Sequence, residues 1–476
     1  MSIDTLISRP DGVEEGRMNK VSILADRRRD HNQSSEENAE FTEDGVAEEF
    51  AKRNPNLRWC QIWGKWLIWD GAVWKQDETV SVYDKIRLFC RENSEGLGLR
   101  DPAVIRQCSA SFVAAVEKFC KSDRRYAAVP DQFDQNDWLL NTPGGVVNLR
   151  DGVLMDHVPE RYCTKTTAVG PNGDCHRWHE FLGEITNENV GLIDFLQRVA
   201  GYCLTGLTSE HALFFAYGTG GNGKSVFMNT LTGILNDYAR VSPMETFTES
   251  RNDRHPTELA MLQGARLVVA QETEQGKRWA QSRIKALTGG DPVTARYMRQ
   301  DFFTYTPKFK LLIAGNTKPK LDTVDEAMRR RFHVIPFTVQ IPLEDRDPML
   351  SETLKAEWPG ILSWAIEGAL QYQDIGLAPP TIVAEATKNY LESQNVFAEW
   401  LNSECERGSG FWENPTALFN SWKRFAESAL EHIGRQREFT ERMEAAGYKQ
   451  QRDKARGRYW PSLKVKHPNG PDHWQG

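Results

Sequence analysis

Short apolar runs separated by helical periodicities dominate the middle of this chain. Residues 211–217 (His-Ala-Leu-Phe-Phe-Ala-Tyr) form an apolar run of strand length, and residues 226–235 recur with helical spacing. Apolar runs at 266–270, 308–314 and 333–337 predict further strands. Nearer the N-terminus, Trp59, Trp63, Trp66, Trp69 and Trp74 crowd together. There, residues 66–74 predict a hairpin turning on Asp70-Gly71 through a type I′ turn. Residues 80–97 and 104–121 read as amphipathic helices, and residues 141–152 as short strands in a turn-rich stretch. Near the C-terminus, residues 414–426 predict a helix with Leu418, Trp422 and Phe425 on one face, and residues 436–446 a second ending at Gly447. The expected division is a polar, disordered leader (1–44), an α+β module (45–179), an α/β domain (180–375) and a C-terminal helical region (376–476).

Composition narrows the function classes. At 476 residues with a net charge of −7, the chain is no globally basic nucleic-acid coat, so DNA contact would need a local patch or a channel made by assembly. No apolar stretch is long enough to span a membrane and no secretory signal is visible, so no membrane partner is expected and a cytoplasmic protein is. Eight scattered cysteines without a C-x-x-C pair read as reduced thiols. Cys175, His176 and His179 lie close together, but no second ligand pair stands at zinc-site spacing; Trp178 and Phe181 more simply begin a helix. The Arg27-Arg28-Arg29 triplet reads as a solvated charge run.

The chemistry sits between the predicted strands. Gly218-Thr219-Gly220-Gly221-Asn222-Gly223-Lys224-Ser225, followed by Val226, fits G-x-x-x-x-G-K-[ST] between a strand and a helix. Its backbone N–H groups would cradle a triphosphate, Lys224 would reach the β- and γ-phosphates, and Ser225 would hold Mg²⁺. ATP and Mg²⁺ are therefore the expected ligands. The strand at 266–270 runs into Gln271-Glu272-Thr273-Glu274, a Walker B arrangement in which one acid serves the Mg²⁺ shell and one polarises water. Asn316, ending the next strand, suits a sensor of the γ-phosphate; the plainer alternative is a turn residue before Pro319. Arg329-Arg330-Arg331 precede the last strand, and an arginine there suits a finger acting on a neighbouring subunit's nucleotide. Between the B strand and the sensor, residues 285–302 suggest a hairpin with Arg296 and Arg299 near its tip, placed to grip a DNA backbone. After the second C-terminal helix, Lys449, Arg452, Lys454, Arg456 and Arg458 precede Tyr459-Trp460. Helix, helix and basic hairpin suggest a winged helix that binds DNA, or else a packing domain with a solvated basic loop.

Taken in order, Gly-Thr-Gly-Gly-Asn-Gly-Lys-Ser, Leu-Val-Val-Ala-Gln-Glu-Thr-Glu, Leu-Thr-Gly-Gly-Asp and Ala-Gly-Asn resemble superfamily 3 helicases. More closely they resemble the helicase part of phage and plasmid primases of the P4 type, related to the poxvirus D5 protein. The block Trp66-Leu-Ile-Trp69-Asp-Gly is similar to the start of the D5 N-terminal region, and the resemblance runs from about residue 44 to 466. It implies an AAA+ P-loop core assembled as a ring, usually a homo-hexamer, with ATP between subunits. It also implies translocation on single-stranded or forked DNA, with a separate primase or other replication proteins as partners. By the same resemblance Lys224 and Ser225 are Walker A, Asn316 is sensor 1, Arg331 is the finger with Arg330 the neighbouring candidate, and Lys285 is a further phosphate contact. Thr273 separates two acids that are often adjacent in the superfamily, and Glu272 is taken as the main one. The 44 residues before the D5-like region are too few for primase chemistry. The expected function is an ATP-dependent DNA helicase. The alternatives are an ATP-switched initiator or loader that does not unwind, a P-loop kinase, or an inactive remnant.

Overall fold

The computed structural model describes residues 42–93, 102–249, 257–271, 277–321, 324–394, 396–429 and 433–466. The chain is a mixed α/β protein of two compact units, residues 1–136 with 156–165, and residues 137–155 with 166–476. The N-terminal module expected at 45–179 is thus divided between them.

In the first unit, helix α1 (Glu43–Arg53) is started by Thr42, whose hydroxyl accepts from the Gly45 N–H. Strands β1 (Leu57–Cys60), β2 (Lys65–Trp69), β3 (Trp74–Gln76) and β4 (Ala127–Ala128) form a sheet in the order β3-β2-β1-β4. The predicted hairpin exists, but Trp69 pairs with Trp74, which leaves a four-residue loop rather than a two-residue type I′ turn. Asp70 shapes it, its carboxylate accepting from the N–H groups of Ala72 and Val73. Trp66 and Trp74 are buried, so this tryptophan block is mainly core. Helix α2 spans Ser81–Glu92. The second predicted helix is two, α3 (Pro102–Gln107) and α4 (Ala110–Ser122), because Ser109 is extended and caps α4 through Phe112 N–H.

The second unit opens with a three-stranded antiparallel sheet, β5 (Leu139–Thr142), β6 (Gly145–Asn148) and β7 (Val153–Met155). Helices α5 (His176–Thr186) and α6 (Val190–Leu204) follow, with Trp178 and Phe181 fully buried on α5. The central sheet holds β8 (Leu213–Tyr217), β9 (Ala239–Val241), β10 (Leu267–Ala270), β13 (Lys310–Gly315) and β14 (Phe332–Pro336) in the order β14-β8-β13-β10-β9. All of its pairings are parallel. Strands covered on both faces are largely apolar, which is why β8, β10 and, after Lys310, β13 read as apolar runs. Helix α7 (Lys224–Leu235) follows β8 through the glycine loop, and the short α8 (Thr257–Ala260) and α9 (Gln281–Thr288) lie either side of β10 in sequence. Strands β11 (Val293–Ala295) and β12 (Phe303–Tyr305) make a hairpin that starts later than the one expected over residues 285–302, because residues 285–288 belong to α9. Helices α10 (Glu326–Arg329), α11 (Leu350–Ala356), α12 (Trp358–Ile375) and α13 (Thr381–Ser393) complete this part.

Helices α6 and α12 cross backbone to backbone. A Cβ on Gly201 would overlap the Gly368–Ala369 backbone, and one on Gly368 would overlap the Gln197 carbonyl. The C-terminal segment builds its own core from Trp400, Trp422, Phe439, Met443 and Trp460. Its elements run α14 (Val396–Ser403), β15 (Cys405–Glu413), α15 (Pro415–Ser428), α16 (Gln436–Ala445), β16 (Gln451–Asp453) and β17 (Gly457–Val465), with β17 between β15 and β16.

Two cations are buried where the sheet begins. Arg266 donates to the carbonyls of Leu204 and Leu139, and Lys310, 1% exposed, donates to those of Thr205 and Leu207. Both meet carbonyls at or just beyond the C-terminal end of α6, which the helix dipole makes favourable for positive charge. Burial nevertheless pulls the Lys310 pKa down from 10.5 to about 7. A base with a depressed folded pKa leaves the native state with fewer protons than the unfolded chain between those two values. Stability from this site therefore rises with pH from about 7 to 10.5. Chemical denaturation of wild type and Lys310→Met at pH 7 and again near pH 9.5 is expected to show the difference moving in favour of wild type. A difference independent of pH would mean that Lys310 stays charged.

Candidate functional site: a glycine-loop pocket at the strand ends

In a parallel sheet the C-terminal strand ends gather on one edge, and ligands bind in the crevice outside them. Here that edge carries the glycine loop after β8, Gln271 after β10 and Asn316 after β13. They enclose a pocket of about 340 Å³ lined by Gly220 to Val226, Gln271, Ala314, Gly315 and Asn316. Gly220, Gly221 and Gly223 all have positive φ, which lets the loop curl and hand over to α7. At Gly223 a side chain would also strike Phe181 and Ile185.

Lys224 is the node of the pocket. Only 6% exposed, it donates to the Gly218 carbonyl at 2.6 Å, to Asn222 Oδ1 at 2.9 Å and to Asn316 Oδ1 at 3.3 Å. The other end of the Asn222 amide donates to the Phe337 carbonyl at 2.8 Å, just beyond β14. One ammonium thereby ties the loop after β8 to residues at the ends of β13 and β14. Burial lowers the Lys224 pKa. Ser225, exposed at the start of α7, lines the same pocket. Thr219 sits on the outer side of the loop and accepts from Gln340 Nε2. Glu272 and Glu274 lie outside the described residues, as does the Arg27–Arg29 triplet.

Other expected residues lie elsewhere. Phe332 of β14 pairs with Leu213, the first residue of β8, while Pro336 pairs with Tyr217 beside the glycine loop. Arg330 and Arg331 are thus at the opposite edge of the sheet, roughly 17 Å from the pocket at ~3.3 Å per strand residue. Arg331, expected as the presented finger, is 6% exposed, donating to the Thr288 hydroxyl and the Ala327 carbonyl of its own chain. Arg330 and Arg329 are exposed. Lys285, expected at the phosphates, pairs with Asp325 and does not line the pocket. On the β11–β12 hairpin, Arg299 is exposed with φ 61°, whereas Arg296 is partly buried and lies over Phe302. Met298 and Phe302 make the tip partly apolar, at 69% and 59% exposure.

In the C-terminal sheet, Arg452 pairs with Arg458 across the β16–β17 hairpin, and the turn after Asp453 contains Lys454 and Arg456. Arg456 packs over both Trp412 and Tyr459. Lys449 is exposed just before β16. Exposed residues on α16 are of both signs, Arg437 pairing with Glu441.

Sequence reading missed Gln271, whose amide donates to Asn229 on α7, although its place at a strand end was the available signal. It also missed Gln340 and Arg346, which carry no local motif. Among the described residues no group of three or more His, Cys, Asp or Glu is placed to hold a metal, and no helix is long and apolar enough to cross a membrane.

Residues 45–187 match the family described as D5 N terminal like, and residues 216–331 match a family of unknown function (DUF5906). A protein named as a candidate helicase of Acanthamoeba polyphaga mimivirus is 26% identical over 298 residues, covering 58% of this chain and 31% of that protein. Its counterpart by name in Frog virus 3 (isolate Goorha) is 24% identical over 230 residues, covering 44% of this chain and 23% of that protein. The chain spans less than a third of the length of these curated relatives. Among solved structures, the A form apo structure of the NrS-1 C terminal region aligns with a TM-score of 0.47 at 11% identity, covering 84% of this chain and 85% of that one. With residues 45–187 matching the D5 N-terminal region and relatives named as candidate helicases in three viruses, the chain is similar to D5-like primase-helicases.

Proposed function

We propose that this chain is an ATP-dependent DNA helicase of replication, with an AAA+ core of the superfamily 3 type working as a ring, expected to be a homo-hexamer. The observation that carries the reading is the Lys224–Asn316 contact at 3.3 Å across a glycine-loop pocket. A phosphate-binding lysine and a polar sensor on the neighbouring strand end thereby share one site. ATP would take its phosphates into the loop, displacing Lys224 from the Gly218 carbonyl. Mg²⁺ suits the exposed Ser225 hydroxyl at the start of α7, and when bound it neutralises charge on the transferring phosphoryl group. Glu272 is the proposed second ligand, with Glu274 beside it for the attacking water. Asn316 would orient that water or sense the γ-phosphate.

The arginines at the far edge of the sheet cannot reach their own chain's pocket, which favours action on a neighbour's. Because Arg331 is tied to Thr288 and Ala327, the exposed Arg330 is the better finger. Arg330→Ala is expected to keep nucleotide affinity while turnover falls by about 10³-fold. Arg331→Ala is expected to lower the unfolding midpoint instead. Parallel binding, turnover and thermal melts on the two variants check this; full activity of Arg330→Ala would remove it from the role.

For DNA, we assign Arg299 and Arg296 of the β11–β12 hairpin to a single strand. The C-terminal segment would be a winged helix whose wing carries Lys449, Arg452, Lys454, Arg456 and Arg458. The order of helix, strand, helix, helix and hairpin supports that last assignment, while the mixed charge of α16 favours the wing over the helix as the phosphate-binding part. A separate primase and forked DNA are the proposed partners. The test is ATP hydrolysis with and without single-stranded DNA, followed by strand displacement. Hydrolysis stimulated by DNA and coupled to unwinding is expected; binding and hydrolysis without unwinding would favour an initiator or loader.

A further inference from the structure

After β14 the chain turns back over the glycine loop. Ile341 N–H donates to the Gly221 carbonyl at 2.9 Å, and Gln340 reaches Thr219 at 3.2 Å. Arg346 ends this strap. Its Nε donates to the Ile341 carbonyl at 3.0 Å, which fixes the guanidinium and leaves its Nη groups directed along the loop. They lie so close to Gly221 that a Cβ there would overlap Nη2. Gly220, the next residue on the pocket rim, has open space where a Cβ would stand. Arg346 is exposed, and Glu344, Asp345 and Asp347 flank it in sequence, yet none of them pairs with it among the described residues. A cation anchored at one nitrogen, free at the others and held against an anion-binding loop has the form of a phosphate ligand, since the planar guanidinium matches phosphate oxygens two at a time.

We propose that Arg346 is a second cationic ligand of the nucleotide's polyphosphate, supplied by the same chain as Lys224 and reaching it over the Gly220–Gly221 rim. This rests on the nucleotide reading of the pocket. It differs from the role of Arg330, which belongs to a neighbour's site. Lys224 sits inside the loop and Arg346 outside it, so the two approach the phosphates from different sides. Gly221 is then glycine for a second reason besides its φ of 64°: a side chain would displace the guanidinium.

The test is calorimetric affinity of the full chain for ADP, for a non-hydrolysable ATP analogue and for inorganic tripolyphosphate. Arg346→Gln is expected to weaken all three by about tenfold and to flatten the dependence of affinity on salt. Arg346→Lys should recover part of the loss, and the unfolding midpoint without ligand should not change, because the side chain is exposed. Wild-type affinities and salt dependence in Arg346→Gln would overturn the proposal while leaving the nucleotide reading intact. A loss accompanied by a large drop in midpoint, and not rescued by lysine, would also overturn it, since the residue would then only brace the strap. A wild-type chain that binds none of the three ligands would overturn both.

Discussion

Lys224→Ala is expected to lower ATP turnover by about a thousandfold or more while the protein stays folded. Among the described residues, the ammonium is the group that touches the loop carbonyl of Gly218, Asn222 and Asn316 together. Its removal takes away the proposed phosphate contact and the link between the loop and Asn316. Stability should fall little: the lost contacts are offset by the removal of a desolvated charge, and the Asn222 amide keeps its bond to the Phe337 carbonyl. Asn316→Ala provides the comparison. It leaves Lys224 two of its three partners, so nucleotide should still bind while turnover falls. Steady-state hydrolysis beside equilibrium nucleotide binding separates the two variants. Turnover retained by Lys224→Ala in a preparation free of contaminating ATPase would remove this pocket as the catalytic one.

Gly201→Val is expected to cost the second unit about 3 kcal/mol or more, and to leave little folded protein on expression at physiological temperature. Helices α6 and α12 meet through Gly201 on one and Gly368 on the other, and each glycine faces backbone rather than a movable side chain. Backbone cannot step aside by rotating a bond, so the added isopropyl group must push the helices apart. Tyr202 and Tyr372, whose ring centres are 4.6 Å apart, would separate with them. Denaturant titration of Gly201→Ala and Gly201→Val measures the effect, which should grow with side-chain size. A valine variant as stable as wild type would contradict the crossing described.

Much of the site was legible because its residues stand at strand ends. An apolar run followed by a glycine loop, or by Asn316, marks the C-terminal edge of a sheet, and adjacent parallel strands bring those ends together without further instruction. The direction of a long side chain is not written in the same way. Arg331 and Arg330 are neighbours with identical chemistry, yet Thr288, 43 residues earlier in the chain, draws one inward and leaves the other in solvent. Lys285 likewise finds Asp325 rather than a phosphate, a pairing that only the packing of α9 beside α10 creates. The tryptophan hairpin was recognisable from its aromatics, but its turn length depends on which residues pair, and Asp70 holds it open by two residues. Arg346 follows no motif and becomes visible only when the chain folds back over the loop.

Because β8 and β14 run parallel, each chain carries its glycine loop at one edge of the sheet and its exposed arginine at the other. In a ring assembled as proposed, no protomer is a complete enzyme; it is half of two. Lys224→Ala and Arg330→Ala would then be complementary lesions. Mixed and reassembled, two dead proteins would regain activity at about a quarter of their interfaces, those where an intact loop meets an intact arginine. The catalytic unit of such an assembly is the junction between protomers, and its number is fixed by ring closure.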